Sequence, residues 1–364
     1  MAIKNAGRVC IFQSSTYQLL KMSNVYQNEL RLDRNSSYWR KVDEKQKEFL
    51  LQKGDSILTL TGTVGKRDYG YSIQIEEDNK YLLNQRLVLL RQIKNKSYND
   101  FIKDLISTEK FLFYFFAEAK GGTGNQTNVS TEDVKKIKLN IPDIGEQQKI
   151  ASFLTSVDES IQQLSRKKEL LEKYKKGIMQ QLFSQKLRFK DENGKHYQDW
   201  KEKKLKEVAE KKSSNISANK IENNFGEYII YGASGVLQTV DFYIEENDYV
   251  SIVKDGAGVG RLLYCKGKSS VLGTMEMISC KGIDTYFMFC LLSNIDFVKY
   301  VTGSTIPHIY FKDYSNEVCG IPSIKEQKKI ANFLSSIDMK IKNSKQQIIQ
   351  TQNFKKGLLQ QMFV

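Results

Sequence analysis

The stretch IPDIGEQQKIASFLTSVDESI at residues 141–161 returns as IPSIKEQKKIANFLSSIDMKI at residues 321–341. The likeness runs on to KKGIMQQLF (175–183) and KKGLLQQMF (355–363), so that 19 of the 43 positions in 141–183 are identical to those 180 residues later. A repeat this long is a duplicated domain with its connector, because solenoids repeat every 20 to 50 residues.

Each repeat predicts one long helix with a defined start. A proline precedes it in both copies, and Asp143-x-x-Glu146 and Ser323-x-x-Glu326 have the form of capping boxes. About 39 residues at 1.5 Å each give a rod of roughly 58 Å. Apolar residues recur along both helices at a spacing of three to four. Those predicted to pair the helices are Ile150, Leu154, Val157, Ile161, Leu164, Leu171, Ile330, Leu334, Ile337, Ile341 and Ile348.

The two apolar stripes need a partner, because neither is covered within its own repeat. Equivalent helices offer each other matching stripes, so we predict that they pack together, antiparallel, as a coiled coil. The alternative is that each helix docks on its own globular domain.

The globular segments before the helices share a pattern of short strands and glycine turns. GDSILTLTGTVGK (54–66) aligns with NDYVSIVKDGAGVGR (247–261), and LLNQRLVLL (82–90) aligns with LGTMEMIS (272–279). The stretches that follow, 111–142 and 286–322, each predict an amphipathic helix, a polar loop and a last strand before the proline. The chain is therefore predicted to be α+β, with two related, diverged domains.

Composition narrows the function. The net charge of +14 favours a polyanionic partner, above all nucleic acid. The sequence contains no run of eighteen apolar residues, so no membrane span is predicted. The start also lacks the apolar core of a signal peptide, and we therefore expect a cytoplasmic protein. The odd cysteine count and the two histidines predict reduced thiols and no metal site. The cysteines are Cys10, Cys265, Cys280, Cys290 and Cys319.

With these motifs in view, the chain resembles the specificity subunit of a Type I restriction–modification enzyme. The doubled proline–EQ–helix motif, the two KKG-x-x-QQ-x-F ends and the connector LRFKDENGKHYQDW (187–200) carry the resemblance, which covers nearly the whole chain. It implies two target-recognition domains that read a bipartite, asymmetric DNA sequence. They would be separated by two long antiparallel coiled-coil helices that set the gap.

The resemblance also implies partners and a domain plan. Two DNA-methyltransferase (modification) subunits would dock on the helices, and ATP-dependent restriction subunits could join them. The chain itself would hold no cofactor, since S-adenosylmethionine, ATP and Mg belong to those partner subunits. The expected segments are a first target-recognition domain at 1–142, a spacer helix at 143–184, a connector at 185–199, a second target-recognition domain at 200–322 and a spacer helix at 323–364.

One departure from the family pattern concerns the first domain. The second domain opens with Trp200-x-x-x-x-Leu205, and no counterpart precedes the first GD strand. We therefore expect the first domain to lack a short N-terminal element, which would put its DNA reading in doubt or make the chain depend on a second subunit.

Two glycine-rich stretches could be mistaken for nucleotide sites. GAGVG (256–260) has the spacing GxGxG where a dinucleotide loop needs GxGxxG, and TGTVGKR (61–67) lacks the first glycine and the Ser/Thr of a P-loop. Phe111–Phe116 could form a stacking platform for bases, although a stripe of core aromatics is the simpler interpretation. No methyltransferase or nuclease motif is present, so we predict a chain that is not an enzyme.

The predicted DNA contacts lie in the glycine turns and in the two polar loops. Amide side chains can pair with adenine in the major groove, and basic residues can bind phosphates. Turns and caps on the domain edge are the structural alternative for the same residues. The residues predicted to contact DNA are Lys66, Arg67, Asn125, Gln126, Thr127, Asn128, Tyr231, Lys254, Arg261, Ser304, Thr305, His308 and Tyr310.

Two other functions remain open at this point. The chain could be a nuclease or methyltransferase that also reads DNA, or a scaffold that binds methyltransferase subunits without reading DNA.

Overall fold

The computed structural model describes residues 17–121 and 124–363. They fall into two compact units. The first holds the residues up to Leu164 together with those from Gln346 onward, and the second holds Ser165–Lys345. Cys10 and the expected loss of an N-terminal element concern residues outside the described part. No helix in the described part is long and apolar enough to cross a membrane.

The first unit contains eleven described strands and three short helices. The strands are β1 (Tyr17–Leu20), β2 (Val25–Tyr26), β3 (Glu29–Leu30), β4 (Tyr38–Trp39), β5 (Ser56–Thr59), β6 (Thr61–Thr63), β7 (Ser72–Gln74), β8 (Tyr81–Leu83), β9 (Leu87–Leu90), β10 (Lys120–Gly121) and β11 (Gln126–Asn128). The helices are α1 (Asn99–Leu105), α2 (Glu109–Ala117) and α3 (Thr131–Lys136), and the long helix α4 (Ile144–Phe183) begins here. Two 3-10 turns lie at Met22–Asn24 and Lys47–Phe49.

The second unit repeats this plan. Its strands are β12 (Lys201–Lys204), β13 (Ala209–Ser213), β14 (Tyr228–Gly232), β15 (Gly235–Val240), β16 (Tyr249–Val253), β17 (Leu262–Cys265), β18 (Ser269–Val271), β19 (Met275–Cys280) and β20 (Val318–Ile321). Its helices are α5 (Leu205–Val208), α6 (Ala218–Ile221), α7 (Thr285–Ser293), α8 (Phe311–Tyr314) and the start of α9 (Ile324–Met362), with a 3-10 turn at Phe297–Tyr300.

Strand order demonstrates the duplication. In the first unit β5 lies between β7 and β9, and in the second β16 lies between β17 and β19, with every pairing antiparallel. A second sheet in each unit contains one parallel pair, β1 with β8 and β14 with β18. The predicted alignments of the GD strand and of the strand after it agree with this order. Apolar residues of β5 and β16, such as Ile57 and Val250, are fully buried in their cores.

The long helices begin where the capping residues predict. The Asp143 carboxylate accepts from the amide of Glu146 at 3.0 Å, and the Ser323 hydroxyl accepts from the amide of Glu326 at 3.4 Å. Among the described residues, only this half of each capping box is formed. In the second unit, the carboxylate of Glu326 binds the connector between α4 and β12 and does not return to the helix start.

In the first unit, the beginning of α4 and the end of α9 run antiparallel. Leu154 is fully buried among side chains of both helices and of α1. Beside this apolar contact, Lys355 Nζ lies 2.6 and 2.7 Å from the two carboxylate oxygens of Asp158.

In the second unit, the end of α4 and the beginning of α9 form the matching contact. Leu182 and Leu334 are fully buried in one cluster that also includes side chains of α7. Lys175 Nζ lies 2.6 and 2.7 Å from the oxygens of Asp338. The two ion pairs use equivalent residues of the two repeats, and the two residue numbers of each pair add up to the same value, so one antiparallel register accounts for both.

The predicted coiled coil is therefore present, and the alternative of docking on the domains also holds in part. Near its ends each helix covers its apolar stripe with both its partner helix and a domain helix. Ile150, Leu154, Ile330, Leu334, Ile337 and Ile341 belong to these clusters. Val157 is buried, and Ile161, Leu164, Leu171 and Ile348 are half-buried.

One glutamine in each long helix holds the start of the neighbouring domain helix, α1 in the first unit and α7 in the second. Gln147 is buried; its Nε2 donates to the carbonyls of Lys96 and Pro142, and its Oε1 accepts from the amide of Tyr98, which caps α1. Gln327 donates to the carbonyl of Pro322 and accepts from the amide of Asp284, the cap of α7.

This contact corrects the predicted correspondence between 111–142 and 286–322. The helix equivalent to α7 is α1, which the sequence prediction missed, and not α2, which covers the aromatic run. The expected last strand exists in the second unit as β20, whereas no strand is assigned to residues 137–141. Strand β20 is paired with β12, and among the described residues of the first unit there is no equivalent partner strand.

The first unit buries an acidic group beside its ion pair. Asp104 is 1% exposed, one of its oxygens lacks a partner, and Lys103 Nζ lies 3.6 Å from the other. Burial raises the pKa of Asp104 to about 6, although the ammonium groups of Lys103 and Lys355 oppose the shift. In the second unit α7 has Cys290 at the equivalent position.

This burial makes the stability of the first unit depend on pH. Because the pKa of Asp104 in the folded chain lies above its ordinary value, its ionisation between about pH 4 and pH 6 costs stability, up to about 3 kcal/mol at neutral pH. We expect Asp104→Asn to raise the unfolding midpoint by several degrees at pH 7.5 and to leave it nearly unchanged at pH 4. Calorimetric scans at the two pH values measure this, and a lower midpoint at pH 7.5 would refute it.

Candidate nucleic-acid interface

In the first unit, the turn after β6 carries two of the predicted basic residues. Asp68 holds this turn, because its carboxylate accepts from the hydroxyl of Thr63 at 2.7 Å and from the amide of Thr63 at 2.8 Å. These bonds lower the pKa of Asp68 below its ordinary value, and the bond from the Thr63 hydroxyl has the larger effect. Lys66 is exposed and has no recorded side-chain partner among the described residues. Arg67 lies over the ring of Phe116, 5.0 Å from its centre.

The polar loop of the first unit meets this turn. Strand β11 pairs antiparallel with β6, and the amide of Val64 donates to the carbonyl of Asn125 at 3.2 Å. Asn125 and Gln126 are exposed where β11 meets the end of β6, from which the turn with Lys66 and Arg67 leads. The structure thus joins the two segments that carry these four predicted residues.

The next two residues of the loop have structural contacts. Thr127 is buried and its hydroxyl donates to the carbonyl of Lys120 at 3.2 Å. The side-chain oxygen of Asn128 accepts from the hydroxyl of Thr61 at 2.8 Å, although the residue is exposed. Thr127 and Asn128 therefore shape the loop.

In the second unit, a tight loop follows the 3-10 turn. Thr302 and His308 exchange backbone hydrogen bonds at 2.8 and 2.9 Å and close a loop whose tip contains the exposed Ser304 and Thr305. Only glycine fits at position 303, because φ is +88° and a Cβ there would lie 2.4 Å from the carbonyl oxygen of Ile306.

The loop base connects to the glycine turn and to an exposed tyrosine. The amide of Gly256 donates to the carbonyl of Pro307 at 2.9 Å, and the amide of Ile309 donates to the carbonyl of Lys254 at 3.0 Å. The His308 ring meets the ring of Tyr310 edge-on at 4.9 Å. These bonds join the backbone at Lys254 and Gly256 to the base of the loop that carries the predicted residues.

Two predicted residues of the second unit have side-chain contacts outside this loop. Arg261 is exposed and donates to the carbonyl of Ala233 at 2.9 Å. Tyr231 is buried in the core, and its hydroxyl accepts from the amide of Lys266 at 3.3 Å. Burial raises the pKa of Tyr231, as expected of a core tyrosine.

Two candidate residues were missed by the sequence prediction. Ile306 is 62% exposed at the loop tip, and Lys312 Nζ lies 5.3 Å from the centre of the Tyr310 ring. An apolar side chain at a groove-facing tip can contact a thymine methyl group. The available signal was the apolar residue within an otherwise polar loop, Gly303 to Pro307.

The described cysteines and acidic residues form no metal centre. Within residues 17–121 and 124–363 no group of three His, Cys, Asp or Glu side chains is arranged to hold an ion. The four described cysteines are free. Burial raises the pKa of Cys265 and of Cys290 to about 12, and those of Cys280 and Cys319 to about 11.

Fold and surfaces together define a duplicated α+β protein with one basic, polar loop surface on each of two diverged domains. A family model, the Type I restriction modification DNA specificity domain, matches residues 5–173 and again residues 197–352. The chain belongs to this family and contains two copies of its domain. The resemblance predicted from the repeated motifs is thus confirmed.

Named relatives from Methanocaldococcus jannaschii match over most of their length. The chain is 28% identical over 353 residues to the Type I restriction enzyme MjaVIII specificity subunit, covering 86% of this chain and 79% of the relative. It is 26% identical over 313 residues to the putative type I restriction enzyme MjaX specificity subunit, with 77% and 71% covered.

Solved structures share the fold. The Type-I restriction-modification system S subunit from M. genitalium superposes with a TM-score of 0.61 at 18% identity, over 87% of this chain and 85% of that one. A chain from a structure describing complex assembly and conformational transition of the type I R-M system gives a TM-score of 0.55 at 14% identity, over 96% and 92%.

Proposed function

We propose that this chain is the non-catalytic specificity subunit of a Type I restriction–modification complex and that its two domains read the two halves of a bipartite, asymmetric DNA target. One observation carries the proposal. In each domain a glycine turn and a polar loop, far apart in sequence, are joined through their backbones, and the loop presents exposed side chains. The scaffold is repeated while the loops differ, which suits two different half-sites.

The residue types divide the work in each surface. Lys66 and Arg67 in the first domain and Lys254 and Lys312 in the second are suited to phosphates, which position a protein without specifying sequence. Asn125 and Gln126 offer amides for adenine. In the second domain the loop tip from Ser304 to Ile306, with His308 and Tyr310, would contact base edges.

The long helices would dock two modification subunits. Tyr174 and Phe354 stand at equivalent positions of the two repeats and are 51% and 55% exposed. Equivalent exposed aromatics suit two copies of one partner, because aromatic side chains are enriched at interface centres. ATP-dependent restriction subunits would join the same complex, and S-adenosylmethionine, ATP and Mg would be bound by the partners. Accordingly, the purified chain alone should neither methylate nor cut DNA.

Variants in the polar loops test whether each domain reads one half of the DNA target. We expect Asn125→Ala with Gln126→Ala to relax one half-site at a cost of about 1–3 kcal/mol per lost base contact, while the other half-site and the gap stay unchanged. Ser304→Ala with His308→Ala should do the same to the other half only. The measurement is selection from random duplex DNA by the chain with its modification subunit.

Lys66→Ala is the matched control for base reading. It should weaken binding about equally for all sequences and reduce the salt slope by about one. If the amide variant changed both half-sites, or neither, the proposed assignment of one domain to each half would be wrong.

A further inference from the structure

The second unit holds the connector through a set of repeat residues at the start of α9. The carboxylate of Glu326, which is fully buried, accepts from Arg188 at 3.0 and 3.3 Å and from the Trp200 indole at 3.2 Å. The Phe189 ring packs edge-on against Phe333 with centres 5.5 Å apart.

Two further contacts complete this site. Lys329 Nζ donates to the carbonyl of Lys190 at 2.7 Å. Strand β12, directly after Trp200, pairs antiparallel with β20 and buries Ile321. The connector thus supplies an Arg–Phe pair, a tryptophan twelve residues after the arginine, and a strand.

The first unit contains the same receiving residues. Ile141, Glu146, Lys149 and Phe153 are identical to the residues 180 positions later that hold the connector. All four are exposed, Ile141 at 48% and Phe153 at 43%. Glu146 has no recorded ion pair or side-chain hydrogen bond among the described residues. This arrangement leaves a carboxylate and two large apolar side chains without the partners that their counterparts have.

Two of these residues, Ile141 and Glu146, line an open groove together with Leu139, Ile150 and Phe363. Residues 137–141 alongside are in no strand. In the second unit the equivalent place is filled by Trp200 and β12. The groove therefore has the apolar walls, the acceptor for a guanidinium and, at residues 137–141, a stretch of backbone outside any sheet with which a connector-like segment can pair.

We propose that this face of the first unit binds, in trans, a segment of another polypeptide with the chemistry of the connector. That segment has an Arg–aromatic pair, a tryptophan about twelve residues further on and a strand that pairs with residues 138–141. The arginine pairs with Glu146, the aromatic ring covers Phe153 and the tryptophan fills the groove beside Ile141. This site is separate from the DNA-reading loops.

The probe is a fluorescein-labelled synthetic peptide with the sequence of residues 185–206, titrated into the full chain and followed by fluorescence anisotropy. We expect saturable binding with one peptide per chain. Glu146→Gln should weaken it at least tenfold, and so should alanine in the peptide at the positions of Arg188 and Trp200. Glu159→Gln, which removes the same charge from an exposed site on the same helix, should leave binding unchanged.

Three results would overturn the proposal. The first is no saturable binding, and the second is an equal effect of Glu146→Gln and Glu159→Gln. The third is binding that is lost on Glu326→Gln and kept on Glu146→Gln, because the peptide would then be displacing the chain's own connector. A scrambled peptide of the same composition controls for general charge effects.

Discussion

Removing residues 163–169 and 344–350 together is expected to shorten the gap between the half-sites by about three base pairs while both half-sites keep their bases. Each deletion removes one heptad, or about 10 Å of helix, and a base pair advances about 3.4 Å along the duplex. The residue numbers of the two segments add up to the same value as those of both ion pairs, Lys355 with Asp158 and Lys175 with Asp338. Both pairs can therefore form in the shortened chain.

The affinity of the shortened chain should fall, because a shorter gap also changes the twist between the half-sites and the duplex must deform. The control removes residues 163–169 alone. That deletion forces one of the two ion pairs out of register, so we expect a lower unfolding midpoint and no defined new gap. Selected targets with the original gap, or with new bases at the original gap, would contradict the role of the helices as a spacer.

Glu326→Ala should destabilise the second unit by about 3–5 kcal/mol. The substitution removes the buried carboxylate from the Arg188 guanidinium, which is 15% exposed and keeps only Asp199 at 3.2 Å and two carbonyls, and it leaves the indole N–H of Trp200 without its acceptor. Loss of one partner from a buried ion pair is costly because the other charge stays buried with fewer groups to stabilise it.

The repeat provides its own control in Glu146→Ala. This glutamate is exposed at the equivalent position, so its loss should change stability by no more than about 0.5 kcal/mol. Calorimetry on both variants at one pH makes the comparison. Equal shifts of the midpoint would show that the buried contact does not stabilise the connector.

The long helices could be predicted because their signals are local. A capping residue, a proline and an apolar spacing of three to four are all contained in the sequence of one element. The ion pairs between the long helices could not be predicted from the apolar stripes, since these stripes contain apolar residues only. Their signal was present nevertheless. Asp158, Lys175 and Gln147 are all identical to the residues 180 positions later, and each has a contact that the other repeat reproduces.

The domains were harder to predict because their contacts are not local. Helix α1 has only seven residues and carries four charged or amide side chains in the stretch NDFIKDL, so its periodicity is weak. It is held in place because Gln147 binds the amide of its capping residue Tyr98 and because Phe101 packs on Phe363 at 5.1 Å. Likewise, nothing near Tyr231 in the sequence indicates that its hydroxyl is bound by the distant Lys266 amide.

Target selection with the unaltered chain tests the central claim most directly. The chain and its modification subunit would be incubated with random duplex DNA, and the bound sequences read. The account predicts two different short half-sites separated by a gap of one fixed length. A single continuous motif, or two motifs whose separation varies by several base pairs, would contradict it.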